Sequence, residues 1–189
     1  MPPPPDLLAA VTALLVEEGF EGISVRKVAD RAGVSIGAVQ HHFPTKAAML
    51  TAAMDAASQQ FRDRLEQRAG PGASAEQALR AVVDELLGMG PERRAASVLW
   101  VARLARSTID PSLATAHAAE WQQVEDLLAW LVQQCLPHRD PAWVRDEAAT
   151  LLAVADGLAT AALVEPQRMP PARASALADG VLARLLGGT

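Results

Sequence analysis

Gln40, His41 and His42 follow one another as side chains with hydrogen-bonding edges, directly after Gly37, Ala38 and Val39. A glutamine amide such as that of Gln40 can pair bidentately with N6 and N7 of adenine, and a histidine such as His41 can donate or accept at a base edge or a phosphate. Ala38 suits contact with a thymine methyl, and Gly37 lets a backbone approach closely. The chemistry on offer is recognition of a duplex. Catalytic chemistry has less to build on. The four histidines (His41, His42, His117, His138) lack metal-ligand spacing, there is no P-loop and no CxxC, and Cys135 has no base near it in sequence. The expectation is no enzyme, no metal and no cofactor, with Cys135 a buried or partly buried thiol near a helix end.

The surrounding residues say how those groups are positioned. Ser24 is a good helix N-cap, and Val25, Val28 and Ala29 follow at helical spacing. Gly33 falls where that helix must stop and the backbone needs a left-handed conformation. Ser35 caps a second, short helix, Ile36 to Phe43, with Ile36, Val39 and Phe43 expected inward and Ser35, Gly37, Ala38, Gln40 and His41 outward. Ile36 lies at its N-terminal edge. Pro44 ends it, and Lys46 opens a long third helix whose start combines a cation with the helix dipole. Helix, glycine turn, short helix is the arrangement that places a second helix in the major groove.

Gly33-Val34-Ser35, Gly37, His42-Phe43 and Lys46 together resemble the DNA-binding domain of TetR-family (tetracycline-repressor-like) transcription regulators. The resemblance implies that Ser24, Arg26, His42 and Lys46 contact the phosphate backbone, while Arg26 as a solvated cation and His42 as an internal hydrogen-bonding group are the plainer alternatives. Two departures stand out. Aromatic residues common in the family at the positions of Gln40 and His41 are absent, and prolines replace the basic arm before the first helix. In the second half, Asp110-Pro111-Ser112-Leu113, Trp121, Asp156-Gly157-Leu158 and Glu165-Pro166 are similar to the C-terminal domain of the choline/betaine-regulator type within this family.

The 189 residues suffice for a small N-terminal module and one larger domain, expected at 1–47 and 48–189. Half are hydrophobic, aromatics are 4% and tyrosine is absent, so the expected class is all-α. A single cysteine excludes an internal disulfide and fits a reducing, cytoplasmic setting. The start MPPPP lacks the features of a signal peptide, and Pro2 to Pro5 read as an extended leader. The nearest membrane-like run, Ala148 to Val164, is interrupted by Thr150, Asp156 and Thr160, so no membrane span is expected. Net charge is −5, and residues 1–50 hold four cations against five acids. All four cations (Arg26, Lys27, Arg31, Lys46) fall within 24–46, where Asp30 is the one acid. Local rather than total charge governs DNA affinity.

Apolar periodicity predicts about nine helices. The first follows Asp6 as its cap and stops at Gly19, and a long one runs from Lys46 to about Arg68, roughly 34 Å at 1.5 Å per residue. Five more are expected near 74–88, 92–107, 111–135, 141–164 and 171–186. Prolines 71, 91, 111, 137, 141, 166, 170 and 171 fall between the apolar segments and never inside one. The middle helices offer a pocket lined by Met89, Leu99, Trp100, Arg103, His117, Trp121, Val124 and Leu128, suited to an apolar molecule with one polar group, or to a quaternary ammonium in an aromatic cage. The resemblance implies an effector of unknown identity there, and a homodimer built from the last two long helices. Ala155, Asp156, Ala159, Ala162, Leu177, Val181 and Leu185 are the interface candidates. Asp156, inside an apolar run, needs a hydrogen-bonding partner, a partner cation across the dimer, or a cationic ligand. The expected function is a repressor released from a palindromic operator by a small molecule. The competing reading is a helical small-molecule-binding protein with weak DNA affinity, motivated by the acidic N-terminal module.

Overall fold

The computed structural model describes residues 3–70, 72–90 and 93–187, the side chain of Pro5 excepted. Among these residues there are nine helices and no strand: α1 Pro5–Gly22, α2 Val25–Ala32, α3 Ile36–His42, α4 Lys46–Arg68, α5 Ala75–Leu87, α6 Arg94–Ser107, α7 Pro111–Cys135, α8 Pro141–Val164 and α9 Pro171–Gly187. The all-α expectation and the helix positions hold. Proline enters α7 and α8 in the first turn, where its missing N–H would have no intrahelical acceptor. Asp110 and Asp140 cap these two helices, each carboxylate accepting from two backbone N–H groups. Pro71, Pro91 and the proposed start of α6 at residue 92 lie outside the described residues.

Two local expectations need correction. Pro4, not Asp6, occupies the cap position of α1, and Asp6 sits in its first turn. Pro4 is extended but Pro5 already belongs to α1; Pro2 lies outside the described residues. Gly19 does break the first helix as expected, with φ 71° and ψ −178°, and a short helical stretch follows it to Gly22. Local spacing marks the glycine, but tertiary packing decides whether a helix restarts after it.

Two hydrophobic clusters organise the chain. The first joins α1 to α4 through Val11, Leu14, Val28, Val39, Phe43, Met49 and Leu50, and it also takes Leu99 from α6. It continues along α4 to Ala53 and Met54, past the boundary expected at residue 47. The second joins α5, α7, α8 and α9 through Leu79, Val83, Leu128, Val132, Ala148, Leu151 and Leu182. Helices α4 and α6 therefore run between the two clusters. A buried carboxylate fixes one end of that link. Glu85 of α5 receives Arg64 at 2.7 Å and Arg68 at 3.0 Å from α4, and Arg93 at 3.1 Å. Helix α8 is apolar enough, with a mean hydropathy of 1.5 over an 18-residue window, to meet the length and composition of a membrane span. It instead packs against α5, α7 and α9.

Candidate functional site

Two regions carry the expected functional residues. The first is the α2–α3 corner. Ser24 accepts from the Lys27 amide at 3.3 Å and Ser35 from the Ala38 amide at 3.2 Å, so both hydroxyls cap their helices and retain a proton to donate. Gly33 ends α2 in the left-handed region, φ 66°. Val39 and Phe43 are fully buried and anchor α3 from beneath. Its other side, with Ser35, Gly37, Ala38, Gln40 and His41, is exposed. Ile36 departs from the expectation: it is 49% exposed and joins this outer face, because the helix meets the core only through Val39 and the Phe43 that follows it. A Cβ added at Gly37 would meet nothing nearer than the Ser35 hydroxyl at 3.9 Å. The fold itself does not need glycine there. His42 is half-buried, edge-on to His41 with ring centres 5.1 Å apart.

The sequence Gly33-Val34-Ser35-Ile36-Gly37 also spells G-x-S-x-G, the pattern of a hydrolase nucleophile elbow. That elbow needs a strand-to-helix turn. Here the turn joins two helices, and Ser35 serves as a cap.

The cations of the corner are largely engaged. Arg31 grips Glu17 with both terminal nitrogens, at 2.6 and 3.1 Å, which holds the Glu17 carboxyl below its ordinary range. Lys27 pairs with Glu18. Lys46 donates to the Glu21 carbonyl at 2.9 Å, lies 3.6 Å from the Glu21 carboxylate, and sits over the Phe20 ring. Among the described residues Arg26 has no ion pair. The three acids at the end of α1 thus draw three of the four cations toward the protein.

The second region is a cavity of about 800 Å³, including its open mouth, bounded by α4, α5, α6, α7 and α8. Of the eight residues expected there, Leu99, Trp100, Arg103, Trp121 and Val124 line it. His117 lies behind Trp121 with ring centres 4.6 Å apart. Leu128 is wholly buried in the second core, and Met89 lines a separate crevice. The wall gains residues that periodicity did not select: Met54, Ala57, Ser58, Phe61 and Arg64 of α4, together with Glu120 and Asp156. On α4, apolar Met54, Ala57 and Phe61 and polar Ser58 and Arg64 together turn toward the cavity.

Trp100 and Trp121 stack at 5.9 Å with their planes 10° apart. Trp121 donates its indole N–H to Asp156 Oδ2 at 2.7 Å. Burial pushes the Asp156 carboxyl up to about 6, against the opposing pull of that hydrogen bond. Arg103 pairs with Glu120 and Arg64 with Glu85, so Asp156 is the lining carboxylate without a cation on it among the described residues. The His117 imidazole is pushed down by burial, then by the Arg103 charge, and its Nδ1 has no partner. Cys135 is half-buried at the end of α7, with burial raising its thiol, so the thiolate needed for nucleophilic work is disfavoured.

The interface candidates separate into two groups. Asp156 belongs to the cavity wall, and Ala155, Ala159 and Leu185 are buried within the protomer, their side chains turned away from its surface. Val181 is partly buried against the second core, and Ala162 lines the crevice. Leu177 is 44% exposed and Val164 63%. Gly157 is exposed, and a Cβ there would find nothing within 4 Å. A helix apolar on all sides gives no sequence signal for which face is inward.

Residues 7–53 match the model of bacterial regulatory proteins of the tetR family, and residues 75–187 that of the BetI-type transcriptional repressor, C-terminal. The HTH-type transcriptional regulator BetI of Escherichia coli (strain K12) is 31% identical over 175 residues, covering 90% of this chain and 87% of that protein. A transcriptional regulator from Rhodococcus sp. Rha1 is 34% identical, covering 97% of this chain and 95% of that one, with a TM-score of 0.83. A putative transcriptional regulator from Saccharomonospora viridis, solved in complex with choline, shares the fold at a TM-score of 0.84 and 18% identity, covering 93% and 92%.

Proposed function

The chain belongs to the TetR family of transcription regulators, and from that premise we propose that it is a cytoplasmic, homodimeric repressor released from a palindromic operator by a small organic cation. The observation that carries the DNA-binding part is the outward side of α3. Ile36, Gly37, Ala38, Gln40 and His41 are exposed, and Gly37 leaves room that the fold itself does not use. Gln40 reads a base, His41 and Ala38 lie against neighbouring edges, and Ser24, Ser35, Arg26, His42 and Lys46 position the phosphates. Lys46 must exchange Glu21 for a phosphate to do so.

The dimer rests on the outer faces of α8 and α9. Only 33% of the apolar window of α8 is buried within the protomer, and Val164, Leu177 and Gly157 give a small-residue, apolar surface that needs cover. Two copies of α3 then sit about 34–36 Å apart, one turn of duplex. The effector site is the α4–α8 cavity, where stacked indoles and the Asp156 carboxylate suit an organic cation.

Helices α4 and α6 supply the linkage. On α6, Trp100 and Arg103 face the cavity, Leu99 enters the first core, and Arg106 lies over the Phe20 ring at 4.1 Å. On α4, Phe61 and Arg64 face the cavity while Met49 and Leu50 hold the first core. A ligand that favours one setting of these helices shifts the spacing of the recognition helices, and a tenfold release needs only about 1.4 kcal/mol of differential affinity.

Sequence selection from random duplexes with the purified protein tests this. The enriched DNA is expected to be a palindrome, with affinity falling steeply as salt rises. Gln40→Ala is expected to cost about 1–3 kcal/mol and relax preference at one symmetric position. Equal weakening on every operator variant would refute base reading by Gln40. The ion pairs from Glu17, Glu18 and Glu21 favour a second reading, a small-molecule-binding protein with weak DNA affinity. Absence of duplex binding at low salt, with ligand binding intact, selects it.

A further inference from the structure

Beside the cavity lies a crevice of about 700 Å³, open solvent at its mouth included, between Leu87–Gly90 and the C-terminal end of α8. Leu87, Met89, Ala162, Leu163 and Pro166 make it largely apolar, with Arg94 the charged side chain among its described lining residues. The two spaces share a wall of three small residues, Gly88, Ser97 and Ala159. Gly88 has φ 59°, and a Cβ there would come within 2.5 Å of the Ser97 hydroxyl. Gly88 and Ser97 are packed closely against each other, so of the three shared residues Ala159 is the one beside which a chain would run.

The order along α8 gives direction. Asp156 stands in the cavity, Ala159 three residues on borders both spaces, Ala162 and Leu163 follow in the crevice, and Pro166 closes it just after the helix. Spacing of three and four keeps these positions on one helical face. From Asp156 to Ala159 is about 4.5 Å and to Leu163 about 10 Å at 1.5 Å per residue. A carboxylate beside stacked indoles at one end and an apolar trough at the other describe a ligand with a charged head and a hydrocarbon chain.

Resting on the effector reading above, we propose that cavity and crevice form one two-part site for an amphiphilic organic cation. Its ammonium head lies at Asp156 and the Trp100–Trp121 stack, and its alkyl chain passes Ala159 to end against Met89, Leu163 and Pro166. A chain crossing from the carboxylate to Ala159 needs about four carbons, and one reaching Leu163 about eight, from C–C bonds near 1.5 Å. Met89 is unbranched and can yield to chains of different length.

Calorimetric titration of the full-length protein with alkyltrimethylammonium ions, from tetramethyl to decyl and below micelle formation, tests the proposal. In the natural sequence, affinity is expected to rise about 4-fold per methylene up to about eight carbons and then level. Ala159→Leu is expected to stop the rise near four carbons, and Ala162→Leu, which intrudes only on the crevice, to stop it between four and eight. Alkyl sulfonates of the same length are expected not to bind. A flat chain-length series in the natural protein overturns the proposal, as does an undiminished rise in both variants or equal binding of the sulfonates. Tetramethylammonium isolates the head site. Its binding, lost in Asp156→Asn, alongside a flat series removes the chain site and leaves the effector reading standing. Failure of every cation to bind removes the cationic effector as well.

Discussion

Replacing Asp156 by Asn is expected to stabilise the unliganded protein while abolishing cation binding. The folded protein holds the Asp156 proton up to about pH 6, against an ordinary value of 3.8. A carboxyl with a raised value favours the protonated form in the folded state, so its stability contribution is lost as pH rises from about 4 to above 6. The gap from 3.8 to about 6, at ~1.4 kcal/mol per pH unit, corresponds to a penalty of about 3 kcal/mol at neutral pH. Contact with the open cavity reduces this, so about 1–3 kcal/mol is the working range. Asparagine keeps an oxygen to accept the Trp121 indole N–H and turns its amide toward the cavity, so the 2.7 Å hydrogen bond survives without the buried charge. Urea denaturation followed by tryptophan fluorescence, at fixed protein concentration, is the assay. At pH 7.5 the midpoint of the variant is expected above that of the natural protein, and at pH 4 the two curves are expected to converge. A variant less stable at both pH values would refute the view of Asp156 as an ionisable group held at a cost for a ligand.

Three further outcomes follow from the geometry. Changing Glu17, Glu18 and Glu21 together to Gln is expected to free Lys27, Arg31 and Lys46, tightening DNA binding and steepening the log–log salt dependence by roughly 0.9 for each cation that reaches a phosphate, measured by fluorescence anisotropy. Gly33→Ala and Gly37→Ala are expected to part company. The first places a side chain at φ 66° and costs about 1–2 kcal/mol in thermal unfolding, whereas the second leaves folding intact and weakens DNA binding. Gly157→Arg fits the protomer, where nothing lies within 4 Å of the added carbon, and is expected to yield monomers by sedimentation while the helical spectrum is kept.

The helices were legible because their ends are written locally. Ser24, Ser35 and Gly33 mark the recognition corner, and Pro111, Pro141 and Pro171 each stand at the first position of a helix. The outward residues of α3 followed from the same local marks, except Ile36, whose direction depends on how few contacts a seven-residue helix makes with the core. The cavity was half legible. Trp100, Arg103 and Trp121 were found as unusual residues in apolar helices, but Phe61 and Ser58 come from a helix whose outer half looks like any linker. Which of Ala155, Asp156 and Ala159 turn inward was not legible, because α8 is apolar nearly all round. Its sequence carries no angular bias, and only the positions of α5, α7 and α9 decide which side is inside.

The passage of Leu99 into the first hydrophobic cluster bears on how such a protein can be recombined. A hybrid made by joining residues 1–47 to a foreign sensor would cut α4 ahead of Met49, Leu50, Ala53 and Met54 and discard Leu99, leaving the head without part of its own core. A hybrid that retains α4 through Met54 and matches the α6 residue at Leu99, and the α7 residue at Leu113 that packs beside the same cluster, would keep the head folded and carry over a shared interior of sensor and reader.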